Sequence, residues 1–185
     1  VLWQAAGQPL TLHDVCPQCF EAAVAPNVAA RIEGRTVDEA TLVGGLAVWW
    51  EPSDLVIVEG AGGWFSPLSD RMLVADLARK LQLPMLVVAR NGLGTINHTL
   101  LTIRAIQAVG LVVKGVVLNA AKHADPSAAT NAAELRRWTE VPVVELARDA
   151  ETIDYDPFTG DTSTAMRSVC MPPPRTTPLT GDTSL

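Results

Sequence analysis

A carboxylate followed by glycines is the first feature of the sequence with chemical potential. Glu59 closes the apolar run Asp54–Glu59, and Gly60, Ala61 and Gly62 follow it. Because glycine has no side chain, the backbone there can approach a ligand closely, and we predict that Glu59 holds a nucleotide-bound magnesium ion. The spacing leaves an alternative open, a glycine-rich turn in which Glu59 belongs to a surface ion pair.

A candidate anion-binding turn lies at Asn91–His98, where a predicted strand ends and a predicted helix begins. The first N–H groups of a helix have no partner within it, so they suit a negatively charged ligand. We predict that four residues hold a substrate carboxylate: Gly94, Thr95, Ile96 and Asn97. The alternative is a helix cap formed by the side chain of Thr95 or Asn97. His98 is interpreted as a packed or capping residue rather than a catalytic base.

Asn119 follows a third apolar run and can offer both an amide donor and a carbonyl acceptor to the edge of a purine ring. A plain turn residue is the alternative interpretation. The sequence thus predicts three polar features at successive strand ends: Glu59, the turn at Gly94 and Asn119. They should lie along one edge of one sheet, where ligands of parallel sheets bind.

The elements that must position these residues alternate between strands and helices. Apolar β-branched runs predict four strands: Asp54–Glu59, Leu83–Ala89, Val112–Leu118 and Val141–Val144. Apolar residues spaced three and four apart predict two helices, Met72–Leu81 and Ile96–Val109, the second of which Gly110 ends. A further helix is predicted at Ala128–Trp138. This order predicts an α/β fold with a doubly wound, mostly parallel sheet and helices on both faces.

The domain organisation follows from a change in composition. We assign residues 1–156 to one α/β domain, and we expect residues 157–185 to be a disordered tail rich in Pro, Thr, Ser and Gly. Thr-Gly-Asp-Thr-Ser occurs at both Thr159 and Thr180, which we interpret as accidental. Val1 opens directly in an amphipathic run, so the true start is expected upstream.

Composition excludes several classes of function. The net charge is −6 and the pI about 5.0, with no cluster of Lys and Arg, so a nucleic-acid partner is not expected. No apolar run approaches the ~20 residues needed to cross a bilayer, and no secretion signal opens the chain, so we expect no membrane partner and a cytoplasmic location. Cys16 and Cys19 have a spacing found in redox and zinc sites, but ordinary reduced thiols are the favoured interpretation.

Two segments of the chain resemble the signatures of the dethiobiotin synthases, which are P-loop enzymes. Val58-Glu-Gly-Ala-Gly-Gly-Trp-Phe-Ser-Pro-Leu68 is similar to the first signature almost throughout. Gly94-Thr-Ile-Asn-His98, with Ala105-Ile106 and Gly110-Leu111, is similar to the second. The resemblance runs from about Val15 to Glu151.

The resemblance implies an ATP-dependent ring closure. In such a reaction 7,8-diaminononanoate takes up CO2 as a carbamate, ATP phosphorylates the carbamate, and the second amine closes the ureido ring. ATP and Mg2+ are the implied cofactors, with Glu59 as a magnesium ligand. The implied nucleotide contacts are Glu59, Gly60, Ala61, Gly62, Asn119, Ala120, Leu146, Ala147, Arg148 and Glu151. Gly94–Asn97 would hold the substrate carboxylate across a homodimer interface.

The sequence departs from the family pattern in three respects. It holds no Gly-x4-Gly-Lys-Ser/Thr loop, and the family's catalytic lysines and second magnesium-binding carboxylate are expected upstream of Val1, so no catalytic residue is assigned. Glu145-Leu-Ala-Arg148 lacks the Gly and Pro of the family's base-contacting turn, which weakens the assignments at Leu146–Arg148 and Glu151. We therefore expect these 185 residues to be poorly stable and to show no ATP turnover.

Two other functions remain open at this stage. One is a non-catalytic, shortened homologue that acts as a dimerising or regulatory module. The other is a different P-loop amidoligase, of the cobyrinate synthase type.

Overall fold

The structure is a computed structural model that describes residues 2–121, 125–148 and 150. Its first part consists of short helices, namely α1 (Leu2–Ala5), α2 (Leu12–Val15), α3 (Pro26–Ile32) and α4 (Glu39–Gly44), and a 3-10 helix at Ala47–Trp49. Local capping explains two of these starts. The Thr11 hydroxyl accepts from the N–H of Asp14 at the start of α2, and the Asp38 carboxylate accepts from the N–H of Ala40 at the start of α4.

The predicted strand at Asp54–Glu59 is wrong. The segment has no partner strand among the described residues, and Leu55 and Ile57 are 65% and 82% exposed. A strand requires a neighbour that accepts and donates its ladder hydrogen bonds, and an apolar run alone does not supply one. The prediction that Glu59 lies at the carboxyl end of a strand is therefore wrong as well.

The other three predicted strands form one parallel sheet. After helix α5 (Val74–Leu81) come strands β1 (Met85–Asn91), β2 (Val113–Ala120) and β3 (Val143–Leu146), hydrogen-bonded in the order β1-β2-β3. Each strand begins one to two residues later than its predicted start. The α/β fold with a parallel sheet is confirmed.

Two helices provide the crossovers of this sheet. Helix α6 (Thr95–Ala108) connects β1 to β2, and helix α7 (Ala128–Trp138) connects β2 to β3. Gly110 takes a φ of 80° just beyond α6, and its N–H donates to the carbonyl of Gln107 at 2.9 Å, which ends the helix as predicted. Parallel strands need such crossovers because a short turn cannot reverse the chain between them.

The core lies between these helices and the sheet. The largest fully buried apolar side chains are Val116 and Leu118 of β2, Ile106 of α6 and Leu135 of α7, none more than 1% exposed. Alternate residues of β1 face away from this core, since Leu86 and Val88 are 47% and 64% exposed. The sheet is thus fixed firmly to α6 and α7, which leaves the carboxyl ends of its strands as a rigid edge.

Among the described residues, no helix is both long and apolar enough to cross a bilayer. The predicted tail, the repeat at Thr159 and Thr180, and Glu151 lie outside the described residues, and the domain boundary at residue 156 stays a prediction.

Candidate functional site

The first turn of α6 presents backbone donors at the carboxyl end of β1. Gly94 precedes the helix with a φ of 90°, a conformation that favours glycine. The N–H of Thr95 donates to the carbonyl of Gly92 at 3.1 Å, whereas the N–H groups of Ile96 and Asn97 have no backbone acceptor among the described residues. No side chain caps the helix, so the interpretation of Thr95 or Asn97 as its cap is wrong. The turn therefore offers free N–H groups to an anion.

Asp125 holds this turn in place from the segment that precedes α7. Its carboxylate accepts from the N–H of Leu93 at 2.8 Å and from the N–H and hydroxyl of Ser127 at 2.9 and 2.7 Å. These hydrogen bonds lower the pKa of Asp125, and the one from the Leu93 N–H has the largest effect. The nearby charge of Arg90 acts in the same direction. Asp125 is therefore an anionic clamp on the entry to α6.

Asn131 on α7 supports the same turn from inside. Its side-chain NH2 donates to the Asn91 side-chain oxygen at 2.8 Å and to the carbonyl of Gly92 at 3.3 Å. Asn131 and Asn91 are only 3% and 7% exposed, so their pairing satisfies groups that water does not reach freely. We refer to Asn91, Asp125, Ser127 and Asn131 as the turn-anchoring network.

A cleft of about 390 Å3 opens beside the anchored turn. Its lining combines the guanidinium-bearing Arg90 at the end of β1 with Thr95 and His98 on the first turn of α6. Of the four residues predicted to hold a carboxylate, Thr95 alone lines the cleft. A cationic side chain and a helix N-terminus at one opening suit a small carboxylate.

The predicted base-contacting residues lie at the same sheet edge. Asn119 and Ala120 end β2, and Asn119 stands in register with Arg90 of β1 and Leu146 of β3. Asn119 is exposed, so its amide is accessible to a ligand. Ala147 and Arg148 directly follow β3 and are also exposed. The structure therefore brings the candidate anion-binding turn, Asn119 and Leu146 to the carboxyl ends of three adjacent strands.

The glycines after Glu59 form a tight turn tied to α5. Gly62 has a φ of 89°, and the Ser66 hydroxyl accepts from the N–H of Gly63 at 2.8 Å. Trp64 is buried, and its carbonyl accepts from the N–H of Ala75 in the first turn of α5 at 2.9 Å. The turn is thus fixed by Ser66 and Trp64, with Gly60–Gly62 exposed beside it.

Glu59 is exposed and forms no ion pair with any described residue, so the alternative of a surface ion pair is not realised there. Its carboxylate is a hard oxygen donor of the kind that Mg2+ prefers. The described residues contain no group of three or more His, Cys, Asp or Glu side chains placed to hold a metal. A single carboxylate is compatible with Mg2+ because that ion usually combines one or two carboxylates with water and nucleotide phosphates.

Sequence reasoning missed the turn-anchoring network. Asp125-Pro-Ser127 has the composition of a local turn in which the aspartate carboxylate accepts from the backbone N–H two residues later. The contact between Asp125 and Ser127 was therefore predictable. The contact of Asp125 with Leu93 spans 32 residues of sequence and that of Asn131 with Asn91 spans 40. No local pattern identifies partners at such separations.

The chain is similar to a family of known proteins. A family model described as an AAA domain matches residues 2–147. The chain is 43% identical over 158 residues to an ATP-dependent dethiobiotin synthetase of Rhodopirellula baltica, covering 80% of this chain and 62% of that protein. It is 48% identical over 149 residues to the protein of the same name from Anaeromyxobacter sp., covering 80% of this chain and 67% of that protein.

A more distant relative carries the same name. The ATP-dependent dethiobiotin synthetase of Bacillus subtilis is 38% identical over 136 residues, which are 73% of this chain and 59% of that protein. The chain thus spans about three fifths to two thirds of the length of the curated relatives it matches.

Proposed function

The chain belongs to the dethiobiotin synthetase family, and we propose that its protein closes the ureido ring of dethiobiotin from 7,8-diaminononanoate, CO2 and ATP. The observation that carries the proposal is the first turn of α6, which presents unpartnered N–H groups at the sheet edge that also carries Arg90 and Asn119. Phosphoryl transfer depends mainly on positioning, so the reaction needs fixed sites of this kind for the nucleotide and for the carboxylate of the substrate.

The substrate end of the site is assigned to Gly94–Asn97. The free N–H groups of Ile96 and Asn97, together with the positive end of the α6 dipole, stabilise the carboxylate of diaminononanoate. That carboxylate lies far along the substrate chain from its two amines. Holding it at one fixed turn therefore positions the amines without placing a charge near the reacting atoms. We propose that the protein is a homodimer and that this turn holds the carboxylate of the substrate bound in the second copy of the chain.

The nucleotide end is assigned to Glu59–Gly62 and to Asn119 and Ala120. When bound, Mg2+ neutralises charge on the ATP phosphates, and Glu59 is the residue that would hold it. The exposed backbone of Gly60–Gly62 lets the nucleotide approach closely. Asn119 pairs with the edge of the adenine through its amide. Leu146–Arg148 and Glu151 are proposed as secondary contacts to the base, and the location as the cytoplasm.

The carboxylate assignment is tested by calorimetric titration of the protein with diaminononanoate. Asn97 is exposed in the first turn of α6, so Asn97→Asp adds a negative charge that the helix dipole favours but a bound carboxylate opposes. We expect this variant to fold normally and to bind at least about tenfold more weakly, because repulsion between two like charges near a protein surface exceeds the ~1.4 kcal/mol that a tenfold change in affinity requires.

Two controls accompany this titration. Asn97→Ser keeps the turn neutral and should bind like the parent protein. The methyl ester of diaminononanoate lacks the charge, so it should bind as weakly to the parent as the acid binds to Asn97→Asp. Equal affinity of the parent for acid and ester would contradict the assignment.

The reaction itself is tested with the full-length gene product. Incubation with diaminononanoate, bicarbonate, ATP and Mg2+ should yield dethiobiotin, identified by its mass. If ATP is consumed while diaminononanoate is returned unchanged, the protein acts on another carboxylic acid and the proposed reaction is wrong.

A further inference from the structure

Two thiols face each other in the connection between α2 and α3. Cys16 and Cys19 are both exposed, and their sulfur atoms lie 3.2 Å apart. The Cys19 thiol also lies 3.4 Å from the carbonyl oxygen of Cys16, so the turn is already folded back on itself. We propose that this pair is a reversible dithiol–disulfide site, oxidised by low-molecular-weight disulfides such as glutathione disulfide.

The chemistry of this step is a two-stage exchange. One cysteine thiolate attacks a sulfur of glutathione disulfide, which forms a mixed disulfide and releases one glutathione. The second cysteine then attacks the protein sulfur of that mixed disulfide and releases the other glutathione. The protein loses two hydrogens, glutathione disulfide is reduced to two thiols, and no further reactant is needed. The close approach of the two sulfur atoms favours the second stage, because the resolving thiol is already in reach.

The surroundings of Cys16 indicate a modified site rather than a redox catalyst. Catalytic Cys-x-x-Cys pairs lie at helix N-termini, which stabilise a thiolate. Cys16 instead follows the C-terminus of α2, where its N–H donates to the carbonyl of Leu12 at 3.0 Å. Desolvation and the contact with Cys19 raise the pKa of the Cys16 thiol. The site should therefore react slowly at neutral pH and faster as the pH rises.

The loop between the cysteines connects to the following segment. The Gln18 side chain accepts from the N–H of Asp38 at 2.7 Å and donates to the Asp38 carbonyl at 2.9 Å. The Arg35 guanidinium donates to the Cys19 carbonyl at 3.0 Å and lies 4.6 Å from the Phe20 ring centre. Closing a ring through residues 16–19 removes freedom from this loop. The backbone near Arg35 should consequently open less often.

The test uses the 185-residue chain with Cys170→Ser, so that only two thiols remain. After treatment with glutathione disulfide, we expect both thiols to disappear from titration and the intact mass to fall by two hydrogens, with no retained glutathione. Dithiothreitol should restore both thiols. Trypsin should cleave after Arg35 more slowly in the oxidised form, on the order of tenfold. After reduction the cleavage rate should return to that of the protein before oxidation.

Single-cysteine variants supply the matched controls. Cys16→Ser and Cys19→Ser should each retain one glutathione, because the resolving thiol is gone. A glutathione adduct that persists in the two-cysteine protein would overturn the proposal. So would covalent dimers as the main product, or one tightly bound Zn2+ per chain that protects both thiols.

Discussion

Replacing Asn131 by alanine tests whether the turn before α6 depends on a buried polar contact. The Asn131 side chain donates to the Asn91 oxygen at 2.8 Å and to the Gly92 carbonyl at 3.3 Å, and the residue is 3% exposed. Asn131→Ala leaves the Asn91 oxygen buried without its donor. A buried polar group left unsatisfied costs about 1–3 kcal/mol, and we expect the free energy of unfolding to fall by that amount.

The assay is urea unfolding followed by tryptophan fluorescence, with thermal unfolding as a second measure. For a chain of this size each kcal/mol lowers Tm by about 2–4 °C. Arg137→Ala is the matched control on the same helix, because it removes an exposed ion pair with Glu134 at 3.2 Å. That variant should change stability by less than about 0.5 kcal/mol.

A double variant makes the test specific to the pair. Adding Asn91→Ala to Asn131→Ala removes both polar partners, so the double variant should cost clearly less than the sum of the two single variants. Additive costs would refute the reasoning, since they would mean that the two side chains do not share one interaction. A cost for Asn131→Ala no larger than that for Arg137→Ala would refute it as well.

Three further predictions concern Asp125, Gly62 and Leu135. The carboxyl 13C resonance of Asp125 should titrate below the ordinary aspartate pKa of about 3.9, and the Leu93 amide resonance should move with it; because the folded pKa is lowered, the clamp is fully present above pH 5 and is lost as the pH falls through that lowered value. Gly62→Ala should lower stability in urea by about 1–2 kcal/mol, because Gly62 has a φ of 89° and an added Cβ would meet the Ser66 hydroxyl; an unchanged midpoint would contradict this. Leu135→Ala should cost about 2–5 kcal/mol, since that side chain is 0% exposed, and a cost below 1 kcal/mol would place the core elsewhere.

Sequence patterns were sufficient for the parts of the fold that local chemistry determines. The runs that form β2 and β3 are β-branched, and helix α7 begins and ends at its predicted bounds, Ala128 and Trp138. These elements bury apolar residues against their immediate neighbours in the chain, and this is the condition under which periodicity is informative.

The same patterns failed where the structure depends on a partner. Asp54–Glu59 is as apolar as β2, but composition does not determine whether a neighbouring strand completes a ladder. The positions of Gly94 and Asn119 followed from strand ends. The contact between Asp125 and Leu93 did not, since it depends on how α7 packs against the entry to α6. Tertiary packing therefore determined the rigidity of the candidate site, and the local sequence determined its location.

We propose that the first turn of α6 receives the substrate carboxylate. The most direct measurement is an NMR titration of 15N-labelled protein with diaminononanoate, following the amides of Ile96 and Asn97. We predict that both amides shift downfield in a saturable manner with the acid and remain unchanged with its methyl ester. Unchanged Ile96 and Asn97 amides at a concentration where calorimetry reports saturation would contradict the claim.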